Sequence, residues 1–309
     1  MSGNGSLDTP TKNHERRPAE PTQTERHGNA NPAAAGSATF AGRERFEHRE
    51  TREAAEVLVQ HLFAPAPVRV PGIAYAIEYR LAEGRAGGDL VDVYAFDNAS
   101  VAFTVADIAG KGTRAAVQAS LVKYGLRAYA SEGFSPEKVL ASLDRLYLEN
   151  NAFEESESFA TVFFGHLDAD RAVMTYASAG HENVVLVVPD TEPVVLEITA
   201  PALGVFEDRQ HLFKQRNIPM PPGTLLVATT DGITESRRGS HEFFGMERFL
   251  NVIREQRNAG VELLARTIVE RALDFSDRQA HDDIAVLAVR ITGPVNGGVP
   301  TSTTLPSSP

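Results

Sequence analysis

Val101-Ala-Phe-Thr-Val-Ala-Asp-Ile-Ala-Gly-Lys-Gly112 is the stretch on which the reading of this chain turns. Its first six residues form an apolar run rich in β-formers, short enough to be a strand buried on both faces. Asp107 sits at the tip of that run, two glycines follow, and a helical pattern begins over residues 112–130. A carboxylate beside a core strand is costly to desolvate unless something compensates it. The stretch therefore predicts a strand, an acidic tip and a helix in immediate succession.

Working outward, further strand-like runs lie at residues 73–79, 90–96, 160–167, 172–177, 184–188, 224–229 and 284–291, rich in Val, Phe, Tyr and Thr. Helical spacing marks 112–130, 136–150, 246–255 and 261–275. Strict strand–helix alternation would predict a parallel sheet. Here the strands come in groups and the helices in consecutive pairs, which predicts an α+β fold with antiparallel sheets and helices outside them. Tyr124 and Tyr129 fall on apolar positions of the first helix and read as core.

Two more segments repeat the design of 101–112. Leu225-Leu-Val-Ala-Thr-Thr230 runs into Asp231-Gly-Ile-Thr-Glu235, and Asp282-Asp283 precedes Ile284-Ala-Val-Leu-Ala-Val289. A fourth, Gly87-Gly-Asp-Leu-Val-Asp92, puts two carboxylates at a strand start. Any one of these reads equally well as a turn or a helix cap. Four converging tips would repel one another and call for a cation, and an all-oxygen set suits Mg²⁺ or Mn²⁺. Gly87, Gly88, Gly110, Gly112 and Gly232 permit the tight turns and close backbone approach such a site needs. Gly110-Lys-Gly-Thr is neither a dinucleotide fingerprint nor a P-loop, because no acidic-ended second strand follows and the upstream glycine is missing.

Composition bounds the rest. The 309 residues hold 30 basic and 41 acidic side chains, a net charge of −11, with no Cys and no Trp. The absence of Cys excludes disulfides, thiolate zinc sites and a cysteine nucleophile. The acidic balance argues against nucleic acid as a partner. Apolar runs reach about six residues, against the ~20 of a membrane helix, so a cytoplasmic protein without membrane contact is expected. Residues 1–42 are polar and expected to be disordered, as is the uncharged tail 293–309. A helical lead-in is expected over 43–66, where Val57, Leu58, Leu62 and Phe63 make an apolar stripe. It serves either as a helix packed on its own domain or as a dimer or regulatory helix. The whole charge excess then sits in residues 41–292, most of which form one large domain, 67–292.

Taken in order, the motifs resemble the PPM family of metal-dependent protein phosphatases, in its bacterial SpoIIE/RsbU branch. Gly87-Gly-Asp-Leu-Val-Asp92, Asp107-Ile-Ala-Gly-Lys-Gly112, Phe159-Ala-Thr-Val-Phe-Phe-Gly165, Ala179-Gly-His181, Pro201-Ala-Leu-Gly204, Thr230-Asp-Gly-Ile-Thr-Glu235 and Asp282-Asp-Ile-Ala-Val286 carry it. The resemblance implies a four-layer α-β-β-α sandwich and hydrolysis of phosphoserine or phosphothreonine by a metal-bound water, with two Mn²⁺ or Mg²⁺ ions. It implies Asp107 as the bridging ligand, Asp231 and Asp282 completing one metal site, and Asp89 with the Ile108 carbonyl serving the other. Asp283 is the alternative to Asp282. The implied substrate is a phosphorylated anti-sigma factor antagonist, with an activating partner or homodimer formed through residues 43–66. A catalytically silent binding module on the same fold is the competing expectation. His181 reads as a turn residue or as a general acid, His281 as a partner of the acidic pair or an exposed side chain, and Arg85 as a phosphate contact or a solvated charge.

Overall fold

The computed structural model describes residues 68–80, 88–96, 100–110, 112–153, 158–206, 212–239, 241–280 and 282–293, all within the compact unit spanning 52–309. The expected tails, apart from Gly293, and the 43–66 lead-in, together with Arg85, Gly87, Lys111 and His281, lie outside the described residues.

The chain opens with β1 (Ile73–Arg80), β2 (Leu90–Ala95) and β3 (Ser100–Ile108), then the helix pair α1 (Thr113–Ser131) and α2 (Pro136–Phe153). Next come β4 (Ala160–Asp168), β5 (Val173–Ala179), β6 (Val184–Val187), β7 (Val194–Val195), β8 (Arg216–Pro219) and β9 (Leu225–Thr229). The four-residue α3 (Asp231–Thr234) and the hairpin β10 (Arg237–Arg238) and β11 (Glu242–Phe243) lead to α4 (Gly245–Glu255), α5 (Val261–Phe275) and β12 (Ile284–Ile291). One five-stranded sheet has the order β1-β12-β9-β6-β7 and the other β2-β3-β4-β5-β8, with antiparallel pairing throughout.

Strand alternation explains the layers. In β3 the odd residues Val101, Phe103 and Val105 join a core shared with Leu226, Ala228, Leu287 and Val289 of the other sheet. The even residues Ala102, Ala106 and Ile108 pack instead with Ala119, Val122 and Leu126 of α1 and Leu140 and Leu143 of α2. Val286 and Ala288 of β12 meet Leu264, Ile268 and Val269 of α5 on the far side. Each central strand is thus apolar on both faces, as the run at 101–106 predicts, and the expected α-β-β-α sandwich is what forms. Among the described residues, no helix is long and apolar enough to cross a membrane.

Tyr129 packs against the core, but Tyr124 is 49% exposed and corrects the expectation. The inward face of α1 runs through Ala115, Ala119, Val122 and Leu126, and Tyr124, two positions past Val122, points away from it.

Candidate active site

The acidic tips lie at strand ends, near enough for the charge of one to act on another. Asp89 continues the odd, inward-facing register of Val91 and Val93, and Asp107 that of Val105, so both point to the inter-sheet side. Asp283 stands in the same phase as Ala285 and Leu287 on β12. Asp231 begins α3 directly beyond β9. Asp89 and Asp283 are buried, Asp107 and Asp231 half-buried, and Asp282 exposed.

Backbone contacts fix these tips. Thr230 N donates to Ala285 O at 3.1 Å, and Ala285 N donates to Thr230 Oγ1 at 3.0 Å, locking the end of β9 to the start of β12. Asp283 N donates to Asp282 Oδ1 at 3.0 Å. A methyl group at Gly88 would collide with the Ile108 carbonyl oxygen, and one at Gly232 with that of Asp283. Glycine at both positions lets neighbouring loops touch backbone to backbone and sets the spacing of their carboxylates. The Asn183 amide donates to Thr234 Oγ1 at 3.0 Å and anchors α3 from the side.

The carboxylates share one field. Burial, then repulsion from Asp231, Asp282, Asp283 and Glu235, pushes Asp107 up to about 7. Burial and the charge on Asp107 hold Asp89 well above the usual carboxylate range; the Thr230 hydroxyl works in the opposite direction. Tyr79 on β1 is pushed upward too, by burial and then by Asp89, Asp283, Asp107 and Asp282, and its hydroxyl lies 3.4 Å from the Asp89 carbonyl oxygen. Asp89 Oδ2 is buried with no hydrogen-bond partner. Such a lone oxygen among like charges is a group fitted to a hard cation. Among the described residues, no three His, Asp or Glu side chains already stand as a closed ligand group. The chain thus supplies oxygen donors on separate strand ends rather than a finished cage.

Asp92, the second carboxylate of the Gly-Gly-Asp stretch, does not join them. It lies three residues from Asp89, on the opposite face of β2, where Arg127 binds it through two 2.7 Å bonds. Lys123 stands 4.0 Å away, and the Arg127 guanidinium lies over the Tyr94 ring at 4.8 Å. This is a buried clasp between β2 and α1, and its chemistry is structural.

His181 is buried at the crossing from β5 to β6, and its Nδ1 shares a 3.0 Å hydrogen bond with Thr161 Oγ1. Burial pulls it down to about 4, a tendency the Thr229 backbone partly opposes. Its Nε2 completes no hydrogen bond. Its enclosed position at that crossing is the one expected of a turn residue. Thr161, which it holds, pairs directly across the sheet with Asp107. Sequence reasoning singled out neither Tyr79, Thr161 nor Thr230. Alternation in β1 places Tyr79 on the inner face and was the one signal available for it.

Comparison with known proteins agrees with this architecture. The model of the family described as Stage II sporulation protein E (SpoIIE) matches residues 97–292. The phosphoserine phosphatase RsbU of Bacillus subtilis (strain 168) is 30% identical over 202 residues, which is 64% of this chain and 58% of RsbU. The chain therefore matches little more than half the length of that relative. Among solved structures, the RsbU and RsbW domains of Rv1364c from Mycobacterium tuberculosis superpose with a TM-score of 0.63 at 27% identity, covering 73% of this chain and 61% of that one. The catalytic domain of the serine/threonine protein phosphatase PstP, solved with two manganese ions, superposes at 0.54 with 16% identity, covering 71% of this chain and 98% of that one. Strand-end aspartates, a four-layer sandwich and a family model spanning most of that sandwich lead to one assignment: the chain belongs to the SpoIIE family, whose fold is that of the PPM-type phosphatases.

Proposed function

We propose that this chain is a divalent-metal-dependent phosphatase acting on phosphoserine or phosphothreonine in a protein. The observation that carries the reading is the gathering of Asp89, Asp107, Asp231, Asp282 and Asp283 from four separate segments into one field, with Asp89 Oδ2 buried and unpartnered. Mn²⁺ or Mg²⁺, when bound, supplies Lewis-acid polarisation of a phosphoryl oxygen and lowers the pKa of water. Asp107 is pushed up by burial first and then by the charges of Asp231 and Asp282, the two carboxylates expected to share a metal with it. After burial, the charge on Asp107 acts most on Asp89, and Gly88 leaves no room for a Cβ beside the Ile108 carbonyl, which supports a second group of Asp89, Asp107 and Ile108. Asp283 is the deeper member of its pair and orients Asp282 through its backbone N–H. A phosphoester then loses its alcohol to water, giving inorganic phosphate.

Kinship with RsbU supports a phosphorylated anti-sigma factor antagonist as the substrate, within a partner-switching pathway in the cytoplasm. Residues 43–66 remain the candidate contact for an activating partner or second copy. The competing reading, a silent binding module, draws on the lack of a closed ligand group among the described residues. A manganese titration on p-nitrophenyl phosphate and on phosphorylated antagonist proteins separates the two. Turnover that rises with Mn²⁺ and disappears in Asp107→Asn and Asp231→Asn supports the enzyme. Mn²⁺ binding without turnover of any phosphoester refutes it.

A further inference from the structure

Beside the acidic cleft, three large apolar side chains stand open to solvent: Phe159 at 46%, Val205 at 48% and Phe206 at 44% exposure. Their position is set by the sheet. Thr161 of β4 pairs with Asp107, Ala160 pairs with Ile108, and the ladder runs on through Ala109 N to Phe159 O at 2.9 Å. Strand alternation puts Phe159 on the same side as Thr161 and Asp107, about 7 Å along the strand from Asp107. Ala160 also exchanges hydrogen bonds of 3.1 and 2.8 Å with Leu203, which brings the segment carrying Val205 and Phe206 to the same edge.

Apolar groups with this exposure, gathered next to a cleft, mark a contact surface rather than scattered surface residues. The cleft supplies the other half of the argument. Its walls are carboxylates, and Glu235 adds its charge to the field at Asp107. With cations on those carboxylates the discrimination falls to the apolar groups beside them, because a carboxylate side chain set against Phe159 and Val205 would lose water without gaining a partner. An extended segment advances about 3.3 Å per residue, so a side chain one or two positions from a residue held at Asp107 falls over Phe159.

We infer that Phe159 and Val205, with Phe206, form a lip that binds an apolar side chain one or two residues from the phosphorylated residue of the substrate protein. The inference rests on the phosphatase reading and narrows its substrate class to phosphosites with apolar, non-acidic flanks. Phe159 and Val205 are specificity residues, remote from the bond that breaks.

The test uses the full chain with Mn²⁺ and three phosphoserine peptides carrying Leu, Ala or Glu at both second neighbours of the phosphoserine. p-Nitrophenyl phosphate, which has no flanks, is the fourth substrate. Wild-type kcat/KM should favour the Leu peptide over the Ala peptide roughly tenfold, with Glu lowest. In the double variant Phe159→Ser/Val205→Ser the Leu-to-Ala ratio should fall to near unity, with the loss in KM rather than kcat. Phe159→Leu should keep most of the preference. A double variant that retains the wild-type ratio overturns the inference. So does a fall on p-nitrophenyl phosphate as large as that on the Leu peptide, because it would mean general damage to the cleft. Wild-type protein that turns over none of the four substrates overturns the phosphatase reading, and the lip with it.

Discussion

His181→Gln should remove a loss of stability on acidification that the wild-type protein carries. The imidazole is enclosed, holds Thr161 and titrates near 4 instead of 6.5, because burial disfavours its charged form. The unfolded chain therefore binds the proton first as pH falls. Stability attached to the neutral ring is complete above 6.5, declines as pH drops below it and is fully lost below the folded value of about 4. At ~1.4 kcal/mol per pKa unit, the decline from about pH 7.5 to about pH 5 is ~2 kcal/mol and the limiting loss about 3 kcal/mol. Urea unfolding of both proteins across that range gives the difference directly, and the carboxylates common to both cancel in the subtraction. The variant should start below wild type at neutral pH, through its lost packing, and the gap should narrow by ~2 kcal/mol on acidification. Parallel curves would refute a buried neutral histidine. A collapse of kcat in His181→Gln with parallel stability curves would return the residue to the role of proton donor.

Two further changes probe what shapes the site. Arg127→Met strands the buried carboxylate of Asp92 with only Lys123 at 4.0 Å, and because Arg127 is itself about one-third exposed the expected cost is ~2 kcal/mol in urea unfolding. Asp92→Leu/Arg127→Met should recover most of that; a double variant as unstable as the single one would contradict the clasp. Gly232→Ala drives a methyl group onto the Asp283 carbonyl, so it should cost roughly 1–3 kcal/mol and weaken Mn²⁺ binding measured by calorimetry. Unchanged Mn²⁺ affinity would mean the close approach does not set the carboxylate spacing.

Much of the fold was legible because its central strands are short, apolar and capped by acids. The run 101–106 shows its buried character without help from context, and the paired helices betray an antiparallel design. The strands β7, β10 and β11 have two residues each, too few for any period, and only pairing reveals them. Partner choice was equally hidden, since β1 pairs with β12 across nearly the whole domain. Among the acids, sequence put Asp89 and Asp92 together, while the pleat sends one to the cleft and the other to Arg127. That distinction follows from register, which only the sheet sets. Thr161 and Thr230 were invisible because their roles arise from who stands opposite them.

The ladder between β1 and β12 also governs when this protein can become itself. Among the described residues, β1 is an edge strand with β12 as its sheet neighbour, and β12 in turn separates β1 from β9. During synthesis the first sheet stays open, its inner strands facing an empty slot, until residues 284–291 leave the ribosome. Asp282 and Asp283 arrive with that same strand, so the set of carboxylates is complete only once it has been made. Contacts this distant in sequence slow folding and leave unpaired edges exposed meanwhile. A nascent or truncated chain ending before residue 282 would thus carry neither a closed sheet nor a complete set of carboxylates.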